Sequence, residues 1–309
     1  MYRYCFYVVL GCFLLGRVLG AEGEQQMKVP TKLRVAAAQM PAGMSQEENL
    51  HYHLDTVRIC QKRKVDVVVF PECSVVGFES WRAKELQATV EASLAEIKKV
   101  VAGGDTYAIV GTYRYEQGRY WVSDLVIDPE GRVIHVYDKV FAVKPVTKGD
   151  HFGIFEVKGV KCSVGICRDV VHPELFRVPA LQGAKVHFHS HGCFGSVGDL
   201  SAGEDRLARG RYKFFVARAS ENQMFFVVAD MAGTYTYEKG RYAAGLSCVI
   251  HPSGNIILAA PEMRPDLLIT TIDLNEVSKN YITEAKTNPF LKNLFDLECS
   301  ALKQGIGEQ

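Results

Sequence analysis

Two spacings of apolar residues, one of strand type and one of helix type, take turns along this chain. Leu33 to Met40 is an apolar run of strand length, and Gln46 to Lys64 then carries Leu50, Leu54, Val57 and Ile59 at helical spacing. Val65 to Phe70, rich in valine and broken by Pro71, predicts a buried strand. Trp81 to Val101 repeats apolar residues every three or four positions (Leu86, Val90, Leu94, Ile97, Val101) and stops at Gly103-Gly104, the pattern of a helix with its terminator. Tyr107 to Tyr115 and Tyr120 to Ile127 read as strands joined through Gln117-Gly118. Arg132 to Tyr137 returns as a third strand after the turn Asp128-Pro129-Glu130-Gly131. Phe152 to Val157 and Lys161 to Ile166 pair about Lys158-Gly159. A helix from Pro173 to Gln182 and a strand from Lys185 to Ser190 come next. Leu207 to Ser220 predicts a helix, and Phe225 to Ala229, Leu246 to His251 and Leu267 to Ile272 predict strands.

Strand-helix-strand units are thus mixed with hairpins, and no Pro-, Gly- or Ser-rich linker divides them. The pattern predicts one α/β domain over residues 33–275, built of two sheets with helices outside. Residues 21–32 form a polar lead-in, and 276–309 a tail expected to be mobile or to dock on a partner subunit. The first twenty residues differ from all of these. Arg3 is followed by the apolar run Cys5 to Leu15 and by Val18-Leu19-Gly20, which predicts a secretory signal peptide over 1–20. The location expected is therefore secreted or lumenal, with no membrane contact once the leader is cleaved; an uncleaved anchor is the alternative.

Charge and cysteine content narrow the function. The 36 basic and 35 acidic side chains of the 309 nearly cancel without long runs of one sign, which argues against a nucleic-acid or membrane-surface footprint. Of nine cysteines, Cys5 and Cys12 leave with the leader, and the other seven show no Cys-x-x-Cys spacing. An odd number outside the cell leaves at least one thiol free, and Cys167 is the candidate because a nucleophile must stay reduced.

Three polar residues sit at the ends of predicted strands. Glu72 follows Val-Asp-Val-Val-Val-Phe-Pro, Lys139 follows Val133 to Asp138, and Cys167 follows Cys162 to Ile166. Strand ends deliver side chains from a rigid sheet into a cleft. A carboxylate, an ammonium and a thiol brought together supply a base, an oxyanion partner and a nucleophile, which points to acyl transfer.

Five segments, in order, resemble the nitrilase (carbon-nitrogen hydrolase) superfamily: Val35-Ala36-Ala37-Ala38-Gln39, Val69-Phe70-Pro71-Glu72, Tyr137-Asp138-Lys139, Gly165-Ile166-Cys167-Arg168-Asp169 with Pro173-Glu174, and Arg218-Ala219-Ser220-Glu221-Asn222. The resemblance implies a four-layer α-β-β-α sandwich and hydrolysis of a carbon–nitrogen bond through a Cys167 thioester. Glu72 would be the general base and Lys139 the oxyanion stabiliser, helped by the backbone N–H of Arg168. It implies no cofactor, a small-molecule amide substrate, and a homodimer or higher homo-oligomer with the Arg218 to Asn222 region taking part. Nitrile-cleaving relatives commonly carry Trp-Glu after the cysteine, and Arg168-Asp169 looks more like the amidase and carbamoylase branches.

Four further residues are candidates for substrate contact. Arg168, if it faces the pocket, suits a substrate carboxylate, although pairing with Asp169 or Glu174 is the alternative. The family's second glutamate has no counterpart between Val140 and Ile166 other than the strand residue Glu156, so Asp150 or Lys144 would have to substitute. His187, His189 and His191 alternate along one strand and so share a face. Three ligands on one straight strand splay rather than converge on zinc, so no metal is expected, and His189 and His191 are read as pocket-rim contacts. An acyltransferase using the same triad, a nitrile hydrolase, or a secreted binding protein with the histidines as a metal site remain the other readings.

Overall fold

One strand carries pairing for both halves of the larger sheet. In the computed structural model, which describes residues 29–78, 82–192, 195–196, 212–234, 241–278 and 280–290, β1 runs from Lys32 to Pro41 with Ala36, Ala37 and Ala38 wholly buried. Alternate residues of a strand face opposite sides, so a run of buried positions means that both faces are covered. β1 pairs in parallel with β2 (Val67–Val69) and antiparallel with β15 (Asp266–Asp273). At Met40 and Pro41 it also pairs in parallel with β11 (Met231–Thr234).

Beyond β2 lie β3 (Tyr107–Glu116), β4 (Arg119–Ile127) and β5 (Val133–Asp138). Beyond β11 lie β12 (Arg241–Ala244) and β9 (Gly195–Ser196). The second sheet orders its strands β14-β13-β10-β8-β7-β6. These are β6 (Gly153–Val157), β7 (Val160–Ile166), β8 (Val186–Ser190), β10 (Phe225–Ala229), β13 (Cys248–Ile250) and β14 (Ile256–Ala259).

The sheets pack face to face through β1 on β10, β2 on β8 and β4 on β7. Val69, Ile109, Val126, Val164, Phe188 and Val227 are buried in the core that includes this interface. Helices cover the outer faces. α1 (Gln46–Lys62) starts on a reciprocal cap in which Glu48 N–H donates to Ser45 Oγ and Ser45 N–H to the Glu48 carboxylate. α2 (Ala83–Val101) lays Leu86, Val90, Leu94, Ile97 and Val101 against the sheet. On the other side α3 (Glu174–Leu181), α4 (Tyr212–Asn222) and α5 (Asn280–Thr287) enclose Phe176, Phe215, Phe226 and Ile282. This is the expected α-β-β-α sandwich.

Departures from the sequence reading are local. β11, β12, β9 and β14 are two to four residues long, too short for periodicity to register. The expected tail is corrected in part: α5 docks on its own chain, with Ile282 buried and Tyr281 N–H donating to Gln223 Oε1 at 3.0 Å. The leader over 1–20, the predicted helix starts at Trp81 and Leu207, and Cys193 and Cys299 lie outside the described residues. Among the described residues Cys60, Cys73, Cys162, Cys167 and Cys248 are buried and form no disulfide, and no helix is long and apolar enough to cross a membrane.

One glycine decides how the loop after β2 passes over its neighbour. A Cβ at Gly111 in β3 would overlap the Pro71 carbonyl oxygen and stand 2.8 Å from Cys73 N and 3.1 Å from Glu72 Cα. The absent side chain therefore makes room for the Glu72 turn. Gly111→Ala is expected to lower stability by about 1–3 kcal/mol, since backbone atoms must move to admit the methyl group. Urea denaturation followed by circular dichroism checks this, and an unchanged midpoint would mean the turn is not held against β3.

Candidate active site

The ends of β2, β5 and β7 place Glu72, Lys139 and Cys167 in one buried cluster. Glu72 and Cys167 are 3% and 8% exposed, and Lys139 Nζ lies 2.5 Å from Glu72 Oε1. Burial alone would pull the Lys139 ammonium down, but the Glu72 carboxylate and Cys167 outweigh it and hold its pKa above the ordinary lysine value. The sequence-predicted trio is thus brought together.

Each member sits on a turn that is fixed from several sides. In the glutamate turn, Glu72 N–H donates to His191 O at 3.3 Å and Val75 N–H to Gly111 O at 3.1 Å. His53 of α1 contacts the Ser74 hydroxyl at 2.9 Å. Lys139 N–H donates to Val122 O and its carbonyl accepts from Gly149 N–H, both at 2.9 Å. Asp138 beside it accepts from Ser123 Oγ at 2.5 Å and from Arg114 at 2.8 Å.

Cys167 opens a short 3-10 turn (Cys167–Val171) with φ of 45°, and Cys73 beside Glu72 has φ of 54°. Left-handed backbone at a non-glycine residue costs on the order of 1–3 kcal/mol and persists only where surroundings enforce it. Asp169 is the main restraint on the nucleophile. Its carboxylate accepts from Phe141 N–H at 2.8 Å, Tyr137 Oη–H at 2.9 Å and Ile166 N–H at 3.2 Å, joining the segment after Lys139 to the turn at Cys167. Burial pushes Asp169 up to about 6, against these donors and Lys139. From the other side Arg218 reaches inward, donating to Val170 O at 3.1 Å and pairing with Glu221 at 2.7 Å.

Candidate substrate contacts fare unevenly. Arg168 is exposed next to the nucleophile. The alternative of a pair with Asp169 is corrected, because that carboxylate accepts from Tyr137, Phe141 and Ile166. Asp150, with a side chain 95% exposed and bonded to His151, stays outside the buried cluster, and Lys144 is also exposed. The expected rim position of His189 and His191 is corrected too: both are wholly buried.

His191 Nδ1 stands 3.2 Å from Asp230 Oδ2, yet neither ring nitrogen has a fully aligned hydrogen bond. Burial opposes the imidazolium, but Asp230 and Cys167 overcome it and raise the His191 pKa well above the ordinary value. Among the described residues no cluster of three or more His, Cys, Asp or Glu has metal-holding geometry.

Sequence reasoning passed over three buried acids. Asp169 was read only as an arginine partner. Asp230 sits one residue past β10, where the strand-end rule that found Glu72 would have found it. Asp124 interrupts the apolar part of β4 and is wholly buried, accepting from Ser190 Oγ of the other sheet at 2.7 Å. Burial, with Glu72 and Asp169 adding repulsion, lifts the Asp124 pKa well above the carboxylate range.

Comparison with known proteins follows the same lines. The sequence profile of the carbon-nitrogen hydrolase family matches residues 34–280. An (R)-stereoselective amidase of Pseudomonas sp is 28% identical over 222 residues, 69% of this chain and 74% of that protein. A 2-oxoglutaramate amidase of Bacillus subtilis is 27% identical over 226 residues, 70% and 81% of the two chains. Among solved structures, an amidase from Nesterenkonia sp. superposes with a TM-score of 0.68 at 19% identity, over 82% of this chain and 92% of that one. A variant of the Nesterenkonia sp. AN1 amidase carries the acetamide moiety of fluoroacetamide added covalently at its active-site cysteine.

The His191–Asp230 contact yields a pH-dependent expectation. A histidine whose folded pKa is raised contributes stability that is complete below the unfolded value of about 6.5 and is lost as pH rises through the folded value. Breaking a buried ion pair costs about 3–5 kcal/mol. Asp230→Asn should therefore destabilise most below about pH 6.5 and less in alkaline solution, where a neutral imidazole no longer needs the carboxylate. Urea midpoints of wild type and variant at a series of pH values test this; a constant or widening gap would refute the pairing.

Proposed function

Because the chain belongs to the carbon-nitrogen hydrolase family, we propose that it hydrolyses a linear, non-peptide amide through a thioester on Cys167. The observation that carries this reading is the buried Lys139–Glu72 ion pair beside the strained Cys167 turn. The Cys167 sulphur adds to the amide carbonyl carbon while Glu72 accepts the thiol proton. Charge then develops on the carbonyl oxygen, beside the Lys139 ammonium and the Arg168 N–H. As the C–N bond breaks, the proton held by Glu72 passes to the nitrogen, which leaves as ammonia or an amine. Water, deprotonated by Glu72, attacks the thioester carbon; the acid departs and the sulphur recovers a proton.

An amide rather than a nitrile is favoured by Arg168-Asp169 after the nucleophile, and by the amidases among the relatives. The exposed guanidinium of Arg168 supports an acyl group that bears a carboxylate of its own. The reading includes a hydrolase domain over 33–275, export directed by residues 1–20, and self-association as a homodimer or larger homo-oligomer. Support for export is the apolar run Cys5 to Leu15 after Arg3.

The test is ammonia release from a panel of amides, ureido acids and nitriles, each with and without a distal carboxylate. Cys167→Ala should lower kcat by about a thousandfold or more, and Glu72→Gln by about a hundredfold to ten-thousandfold. Mass spectrometry of the stopped wild-type reaction should find the acyl group on Cys167. Release that persists in Cys167→Ala would overturn the thioester.

A further inference from the structure

The two histidines of β8 and His191 just past its end have no part in the steps above, yet His187 and His189 connect the core to the nucleophile's own peptide bond. Val186 and Phe188 of this strand join the larger core cluster. His187 lies among Phe176 and Phe226, and His189 beside Phe176 and Phe215. Ser163 Oγ is 2.8 Å from His187 Nδ1. His187 Nε2 is 3.2 Å from His189 Nδ1, and His189 Nε2 is 3.2 Å from the carbonyl oxygen of Cys167. Every group in this series is at most 1% exposed apart from Cys167 at 8%.

Taken with one proton per ring, the series has a single direction. A carbonyl oxygen only accepts, so His189 Nε2 carries the hydrogen and its Nδ1 is bare. That bare nitrogen accepts from His187 Nε2–H, which leaves His187 Nδ1 to accept the Ser163 hydroxyl proton. Burial holds the His187 pKa down to about 3, in keeping with a neutral ring. The result is three donors in line, each polarising the next. The last bond falls on a particular peptide unit, since the Cys167 carbonyl is conjugated with the Arg168 N–H. Donation to the oxygen draws density through the amide and makes that N–H a stronger donor.

We propose that Ser163, His187 and His189 are positioning residues: their relay polarises the Cys167 carbonyl and so strengthens the Arg168 N–H toward the oxyanion. This rests on the thioester reading, in which that N–H faces the developing charge. It also accounts for the histidines without zinc, because the ring nitrogens of His187 and His189 are engaged with one another, with Ser163 and with the Cys167 carbonyl.

The test compares three measurements on the full chain. These are kcat and KM with an amide, affinity for an aldehyde that adds to the Cys167 thiol, and the rate of Cys167 alkylation by iodoacetamide. An aldehyde adduct places an oxyanion in the same position as the tetrahedral intermediate, whereas alkylation forms none. His189→Leu should lower kcat by about tenfold to thirtyfold, less than the hundredfold or more for deleting an oxyanion donor outright, with KM within about twofold. Aldehyde affinity should fall by the same factor, with alkylation unchanged. His189→Gln, which keeps an amide donor, should recover part of the loss. Ser163→Ala, the milder change should His189→Leu not fold, should cost about twofold to threefold in kcat and aldehyde affinity. That cost should vanish in the His189→Leu background, because the two act through one chain.

Unchanged kcat in His189→Leu, alkylation falling in step with kcat, or a Ser163→Ala effect that survives in the double variant would each overturn the relay. Aldehyde affinity reads the relay even if no amide is turned over. Failure of the hydrolase reading and failure of the relay therefore give different patterns.

Discussion

A buried ammonium must be paired, and in this protein the pairing of Lys139 with Glu72 fixes what the surrounding sheet has to do. The effective cost of removing an ammonium or a carboxylate from water is several kcal/mol, recovered only where geometry is good and the remaining bonding positions are met. The two residues leave strands β5 and β2, which are separated in the sheet by β4 and β3. Their meeting at 2.5 Å requires that the four strands keep their register and that nothing intrudes between them. Gly111 on β3 satisfies the second condition at the Glu72 turn, since any side chain there would strike the Pro71 carbonyl. Loss of register by one residue would turn the strand's side chains to the other face and break the pair.

Strain at the neighbouring turns is the counterpart of that pairing. Cys73 and Cys167 both take left-handed backbone, one beside the carboxylate and one at the thiol. A chain free to relax would abandon these conformations. Asp169 prevents this at Cys167 by accepting N–H groups from both Ile166 and Phe141, so that the turn and the segment after Lys139 move as one. Arg218 grips the end of the same turn through the Val170 carbonyl. The family-like segment Arg218 to Asn222 thus acts inward, on the nucleophile, with the Arg218 side chain spent on that contact and on Glu221.

Glu72, Lys139 and Cys167 were legible in the sequence because each follows a run whose period and apolar content mark a strand, and strand ends in a sandwich converge. The main strands and the two long helices were legible for the same reason. The partners that make the trio work were not. Several of their contacts reach far along the chain: Asp124 meets Ser190 across 66 residues and Asp169 meets Tyr137 across 32. Periodicity reports which face a residue takes, and it carries no information on what the opposite sheet presents there. His189 and His191 illustrate the limit. Their alternation correctly put them on one face, while the inference of a rim position failed because β8 lies inside its sheet between β7 and β10, and that face is closed by Phe176 and Phe215.

That enclosure bears on how polar groups survive in the interior at all. A single imidazole packed among aromatic rings would leave two nitrogens unmet, each at a cost comparable to a lost hydrogen bond. Two imidazoles in series share one bond between them, and a hydroxyl at one end with a carbonyl at the other completes the set for His187 and His189. His191, one residue past the end of β8, follows a different rule: a carboxylate lies against it. The difference comes from position. β10 ends at Ala229, and the next residue, Asp230, is held by the N–H groups of Met231 and Leu246 where the chain passes from one sheet to the other. Burial opposes the His191 imidazolium, but this carboxylate draws it toward the cation, while burial holds His187, deeper in the sheet, down to about 3. The β8 segment therefore presents two kinds of histidine to the same thiol-bearing turn, His189 at the Cys167 carbonyl and His191, just past the strand end, beside the Asp230 carboxylate.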